Sequence, residues 1–101
     1  MTLRRDWLAA QDKRAQGCRV CGNAYVELAH VIGRARDERR GKVAVVNKDS
    51  VVPLCREHHQ MYDAHRLDLM GVLTVSEQAQ AVLDAGGLEL ARRRISGRRA
   101  A

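Results

Sequence analysis

The stretch Cys18-Arg19-Val20-Cys21, together with Cys55-Arg56-Glu57-His58 further along the chain, decides the fold. A Cys-x-x-Cys turn offers two thiolates, and a Cys-x-x-His at a helix start offers the two further ligands that complete tetrahedral zinc. A single Cys-x-x-Cys also occurs in redox motifs and by chance, whereas two such pairs enclosing a strand, a loop and a strand are far more specific. The pattern predicts a structural zinc held by Cys18, Cys21, Cys55 and His58. The alternative is a buried Cys55 and a surface His58.

The composition favours a zinc site. The chain has 101 residues, of which 46% are hydrophobic but only 3% aromatic, and it contains no Phe. A domain this small without large aromatic side chains usually needs a metal or disulfides to stabilise it. Three cysteines cannot all pair within the chain, and neither a signal peptide nor a membrane-spanning run is recognisable, so a reducing, cytoplasmic location is expected.

The positive charge is concentrated in two segments. The formal net charge is +6. One cluster comprises Arg34, Arg36, Arg39, Arg40 and Lys42, and the other comprises Arg92, Arg93, Arg94, Arg98 and Arg99. The clusters favour a polyanionic partner, nucleic acid rather than membrane, because no long amphipathic face with Trp or Phe accompanies them. The alternative for Arg92 to Arg94 is that they only balance the dipole at a helix C-terminus.

Periodicity and turn residues predict an α+β domain spanning 1–101, with a core over about 17–70 and accessory helices over about 74–97. In chain order we expect a helix over 3–15, a strand over 24–31, a loop over 33–41, an antiparallel strand over 42–46, a helix over 55–65 and helices over 74–86 and 88–95. Val51 to Leu54 are expected to lead into the helix at Cys55, since Pro53 is tolerated just before a helix. Thr74 and Glu77 form a capping box.

The histidines outside the zinc site suggest hydrolytic chemistry. Zinc would pull the helix start against the Cys-x-x-Cys turn, and we expect this to make His30 and His59 face each other. Asp63 lies one helical turn after His59, so both can bind one divalent ion that neutralises a scissile phosphate. A neutral histidine can take a proton from water, and Arg34 could hold the phosphate. His65 is expected to face solvent at the helix end.

The residues that carry this chemistry resemble a known family. The segments Cys18 to Cys21, Glu27-Leu28-Ala29-His30-Val31-Ile32-Gly33-Arg34 and Asp49 to His59 are similar to the HNH endonucleases of the ββα-metal (His-Me finger) fold, especially the small HNH proteins of bacteriophages. The resemblance covers about residues 17–70 and implies a DNA endonuclease, in the host cytoplasm if phage-encoded.

The resemblance also assigns roles to individual residues. It implies that His30 is the general base, and that His59 is the closing histidine of the motif and a ligand of a catalytic Mg²⁺, Mn²⁺ or Ni²⁺ ion. Asp63 would be the second ligand of that ion. Cys18, Cys21, Cys55 and His58 would hold the structural zinc.

Two positions depart from the family pattern. Ala29 stands where the family often has a metal ligand before the general base, so Glu27 or water would have to replace that ligand. The middle Asn of the motif is also missing in strict register. Ser50 takes its place and can orient the loop through its hydroxyl, with Asn47 as the alternative.

Two rival hypotheses stand beside the endonuclease, the first of them made plausible by Ala29 and Ser50. One is a zinc-supported nucleic-acid-binding module without catalysis. The other is a phage packaging accessory that contacts a terminase and cuts only within that complex. A zinc deaminase is excluded, because its His-x-Glu followed by Pro-Cys-x-x-Cys is absent.

Overall fold

The structure is a computed structural model that describes residues 8–33 and 48–97. Residues 8–12 are helical and run into a 3-10 helix, Lys13–Gln16. Two strands follow, β1 (Glu27–His30) and β2 (Val51–Leu54), and then three helices, α1 (Arg56–Asp63), α2 (Val75–Ala85) and α3 (Leu88–Ser96). The structure therefore confirms the predicted α+β class, and the ββα-metal fold stays a prediction.

Several predicted segments lie outside the described residues. They are the first part of the N-terminal helix, the basic loop over 34–41, the strand over 42–46 with Asn47, and Arg98 and Arg99. The described helices match the predictions closely: α1 lies within the expected 55–65, and α2 and α3 begin and end within one residue of the expected bounds.

The two described strands form an antiparallel pair in which Glu27 lies opposite Leu54 and His30 opposite Val51. The strand predicted over 24–31 is therefore confirmed in a shorter form. Val51 to Leu54 lead into the helix that follows Cys55, as predicted, but the sequence did not predict that this segment is itself a strand paired with β1. Pro53 is tolerated in β2 because its nitrogen is not needed for pairing with β1. Its carbonyl accepts a hydrogen bond from Arg19 N at 2.9 Å instead. In an antiparallel pair this carbonyl and the Pro53 nitrogen point the same way, away from β1.

The core lies where the sheet, α1 and the α2–α3 pair meet. All four residues of β2 are buried, as is Ala29 of β1. Tyr62 of α1, Leu69 of the following loop and Ile95 of α3 belong to the same cluster. The main chain links these parts, since Leu69 N donates to Ile95 O at 2.9 Å. The accessory helices thus complete the core on which α1 rests.

The ends of α2 agree with the sequence. The Thr74 hydroxyl accepts from Glu77 N at 3.1 Å, and the Glu77 carboxylate accepts from Thr74 N at 2.8 Å, which is the predicted capping box. Gly86 ends the helix in the left-handed conformation, with φ 85°. Among the helices of residues 8–33 and 48–97, none has the length and apolar character needed to cross a membrane.

A buried carboxylate ties α2 to the N-terminal part of the chain. Glu77 is 1% exposed and accepts hydrogen bonds from Lys13 Nζ and from Arg19 Nη1, the latter at 2.8 Å. Burial raises the pKa of Glu77, but the hydrogen bonds from Arg19 and Lys13 outweigh it and lower that pKa below its ordinary value. Since Arg19 lies between Cys18 and Cys21, this network fixes the turn that carries both thiols.

Candidate metal centre

Four side chains converge at the start of α1. Cys18, Cys21, Cys55 and His58 each place one ligand atom within 4.8 Å of the others, and this is the one group of its kind in the described part of the chain. His58 Nδ1 lies 3.2 Å from Cys55 Sγ and 3.6 Å from Cys18 Sγ, and the sulfurs of Cys21 and Cys55 are 3.8 Å apart. The predicted ligand set is therefore brought together and could hold a metal such as zinc.

The spacing of these atoms fits tetrahedral zinc. With Zn–S bonds of about 2.3 Å and Zn–N bonds of about 2.0–2.1 Å, a tetrahedron separates two sulfurs by about 3.8 Å and a sulfur and a nitrogen by about 3.5 Å. The observed separations of 3.8, 3.6 and 3.2 Å lie close to these values. No disulfide competes, since all three cysteines are free thiols.

Local backbone structure explains how the ligands are presented. Gly22 N donates to Cys18 O at 2.8 Å, and Gly22 takes a φ of 79°, which closes the tight turn that its sequence position predicts. Cys55 directly follows β2 and is the N-cap residue of α1. His58 lies in the first turn of that helix, so its ring returns toward the Cys55 sulfur.

The backbone also activates one of the thiols. Burial raises the pKa of Cys18, but hydrogen bonds from the main chain of Cys55, Cys21 and Val20 outweigh it and lower that pKa to about 6. At Cys21, a hydrogen bond from Asn23 lowers the pKa, but desolvation and the neighbouring Cys18 and Cys55 outweigh it and raise the pKa above the ordinary value. The site therefore favours a thiolate, the form that binds metal, at Cys18.

His59 follows the last ligand of this group and lies between two carboxylates. Its Nδ1 atom is 2.8 Å from Glu27 Oε1, and its Nε2 atom is 3.4 Å from Asp63 Oδ2. The contact with Asp63 confirms that the two residues share one helix face. The Asp63 carboxylate is also 3.8 Å from Arg94 Nη2 and remains largely exposed. The three side chains of Glu27, His59 and Asp63 are thus adjacent, each from a defined position on β1 or α1.

The pleat of β1 assigns its side chains to two faces. Residues two apart share a face, so Glu27 and Ala29 point to the side where Glu27 meets α1, and Leu28 and His30 point to the other. His30 is the last residue of β1, and its Nε2 atom is buried. This alternation argues against the expected convergence of His30 and His59 on one phosphate-sized space, and that convergence stays a prediction.

The end of β1 is held from two directions. The main-chain N–H of Val31 donates to the carbonyl of Ser50 at 3.0 Å, and the hydroxyl of Tyr62 donates to the carbonyl of Val31. Ser50, the predicted substitute for the middle Asn, is buried. Its hydrogen bond with Val31 places it beside the strand end that carries His30. Whether its hydroxyl orients that histidine stays a prediction.

Tyr62 and Arg94 were not expected at this site. Arg94 was predicted either to contact a polyanion or to balance a helix dipole. It lies in the last turn of α3, as the dipole alternative expects, and its guanidinium also lies 3.9 Å from the centre of the Tyr62 ring and donates to Tyr62 O at 3.1 Å. The position of Tyr62 on α1 indicated only a core residue. No sequence signal paired it with Arg94, because the contact joins separate elements.

The remaining predicted residues divide into two groups. His65 is exposed just beyond the end of α1, with φ 60°, as expected for a solvent-facing histidine. The predicted DNA-binding residues Arg34, Arg36, Arg39, Arg40 and Lys42 lie outside the described residues.

Comparison of the chain with protein-family models, with curated proteins and with solved structures gives no match.

Proposed function

We propose that this protein is a metal-dependent DNA endonuclease of the HNH type, built on a zinc-stabilised ββα-metal domain. His30 is the general base, and His59 and Asp63 are ligands of a catalytic divalent ion. The support comes from the residues of the HNH-like pattern and from the environment of His59. The proposal concerns chemistry at a phosphodiester, for which the net charge of +6 is favourable.

The observation that carries the proposal is the pair of contacts made by the His59 ring. A carboxylate accepts hydrogen bonds, so Glu27 at 2.8 Å favours the tautomer that carries its proton on Nδ1. The lone pair on Nε2 then faces the Asp63 carboxylate at 3.4 Å. Two such acceptors face each other stably only with a cation between them, either a proton or a metal ion.

The donor set fits a divalent ion. Imidazole nitrogen and carboxylate oxygen suit Mn²⁺ and Ni²⁺, and a carboxylate with water suits Mg²⁺. A second carboxylate on the far nitrogen is the arrangement that commonly orients a metal-bound histidine, which gives Glu27 a role although Ala29 cannot be a ligand. When bound, the ion would neutralise the scissile phosphate and stabilise the leaving oxygen.

The other roles belong to residues at the end of β1. His30 would accept a proton from the attacking water, since an imidazole titrates near neutral pH. Ser50 would orient the loop beside it. The basic segment Arg34 to Lys42 would contact the DNA backbone, which gives strong salt dependence and modest sequence specificity.

A plasmid-nicking assay across Mg²⁺, Mn²⁺ and Ni²⁺, with and without EDTA, tests the proposal. We expect cleavage that requires an added divalent ion and is abolished in the His30→Ala variant, which should retain its fold and its DNA binding. His65→Asn is the matched control, because His65 is exposed and asparagine tolerates its left-handed backbone. Wild-type cleavage by His30→Ala would refute the role of His30.

A zinc-supported DNA-binding module is the second candidate, favoured by Ala29. This residue is fully buried on the strand face that should carry a metal ligand. Within the described residues, Glu27 does not complete a compact ligand group with His59 and Asp63. DNA binding without nicking under every metal condition would support this candidate over the nuclease.

A further inference from the structure

A cleft of about 350 Å³ opens beside Glu27. It is lined by Arg14, Ala24, Tyr25, Val26, Glu27 and Arg56. Glu27 is its link to the candidate site, because the same carboxylate contacts His59 at 2.8 Å. A ligand in this cleft would therefore lie next to the residues proposed to cut DNA.

Tyr25 presents an aromatic ring to solvent in this cleft. The residue is 88% exposed, whereas Tyr62, the other tyrosine, is fully buried in the core. Its backbone is held in place, since Tyr25 N donates to the Asn23 side chain at 3.0 Å. An exposed ring on an ordered turn loses little conformational freedom when a flat partner stacks on it, because the tyrosine side chain has only two rotatable bonds before its hydroxyl.

The cleft is also positively charged. Arg14 and Arg56 are exposed, and within residues 8–33 and 48–97 their guanidinium groups have no hydrogen-bond or ion-pair partner. Arg19 differs, since its charge is engaged by Glu77. The single carboxylate of the cleft, Glu27, is shared with His59. Two exposed arginines and one carboxylate shared with His59 favour an anionic ligand.

We propose that the cleft formed by Arg14, Tyr25 and Arg56 binds an unpaired nucleotide of the DNA substrate, with its base stacked on Tyr25 and its phosphates between the two arginines. The inference rests on the proposed function and narrows its substrate class. Aromatic side chains stack on the faces of bases, and arginine pairs with phosphate. A paired base in a duplex has no free face, so the substrate is DNA with unpaired nucleotides beside the cleavage site.

Fluorescence anisotropy with the zinc-loaded full chain and no other added divalent ion tests this inference without relying on cleavage. The probe is a labelled single strand of about 12 nucleotides, compared with its duplex. We expect Tyr25→Leu to weaken single-strand binding about tenfold, Tyr25→Trp to retain it, and duplex binding to change much less. Arg14→Gln and Arg56→Gln should each reduce the salt dependence of single-strand binding by about one phosphate contact, a slope of about 0.7. Arg66→Gln is the control, because this exposed arginine in the loop after α1 lies outside the cleft and outside both basic clusters.

Two outcomes would overturn the inference: wild-type affinity for the single strand in Tyr25→Leu, or an equal loss of affinity for single strand and duplex. Nicking assays on the same variants separate it from the proposed function. If the protein binds single strands through Tyr25 but never cuts DNA, the nucleotide site is supported and the proposed nuclease function is refuted. If the protein cuts DNA but its single-strand affinity does not change in Tyr25→Leu, the nuclease function is supported and the nucleotide site is refuted.

Discussion

The hydroxyl of Tyr62 donates a hydrogen bond to the main-chain carbonyl of Val31, and so joins α1 to the strand end that carries His30. Burial raises the pKa of Tyr62 to about 12, which keeps the hydroxyl protonated and able to donate. The Arg94 guanidinium covers the same ring. The C-terminal helix α3 therefore contributes to the position of α1 relative to β1.

This contact predicts a clear difference between the two tyrosines. Tyr62→Phe leaves the buried Val31 carbonyl without its donor and should lower the free energy of unfolding by about 1–3 kcal/mol. Tyr25→Phe removes the same hydroxyl from an 88% exposed residue and should leave stability unchanged. Urea unfolding followed by circular dichroism measures both. Equal midpoints for Tyr62→Phe and the wild type would show that the Tyr62 hydroxyl does not stabilise the fold.

If Cys18, Cys21, Cys55 and His58 hold zinc, as proposed, removal of that ion should unfold the domain. The ligands come from the Cys18 turn and from the start of α1, and a domain with so few aromatic residues has little other means of holding them together. Cys55→Ser, or treatment of the wild type with a strong chelator, should abolish the cooperative thermal transition. Mass spectrometry under native conditions should find one zinc per wild-type chain and none in the variant. A zinc-free Cys55→Ser protein that melts like the wild type would contradict the structural role of the metal.

Local patterns in the sequence were enough to predict the group of Cys18, Cys21, Cys55 and His58 that could hold a metal, and the helix ends. The two Cys and His pairs, the Thr74–Glu77 capping box and the glycines after α2 act over a few residues, so their spacing is informative. β2 was missed because Pro53 argues against a strand unless its nitrogen faces away from the partner strand. That direction depends on the register with β1, which joins distant parts of the sequence. The contacts Glu27–His59 and Tyr62–Val31 join separate elements, and no periodicity encodes them.

The buried Glu77 predicts a specific acid sensitivity. The pKa of Glu77 is lower in the folded protein than its ordinary value of 4.5. The ionised carboxylate therefore contributes fully to stability above pH 4.5, and this contribution is lost as the pH falls from 4.5 through the lowered pKa of the folded state. Glu77→Gln leaves Lys13 without its anionic partner and should cost about 3–5 kcal/mol at neutral pH. The stability difference between wild type and variant should shrink below pH 4.5. Glu89→Gln is the control, because Glu89 is exposed on α3. A difference that stays constant with pH would rule out ionised Glu77 as its source.

The two carboxylates beside His59 should differ in their effect on binding of the proposed catalytic ion. Asp63 faces the Nε2 atom proposed to hold the ion, so Asp63→Asn removes a ligand and should abolish specific Mn²⁺ binding. Glu27 contacts only the far nitrogen, and Glu27→Gln should weaken binding by about 10- to 100-fold, the usual effect of losing a carboxylate that orients a metal-bound histidine. Glu57→Gln is the matched control, since Glu57 is exposed on α1. Calorimetric titration of the zinc-loaded protein with Mn²⁺ gives these affinities directly. If Asp63→Asn binds Mn²⁺ as tightly as the wild type, the 3.4 Å approach of Asp63 to His59 is an ion pair with a protonated imidazole rather than half of a metal site.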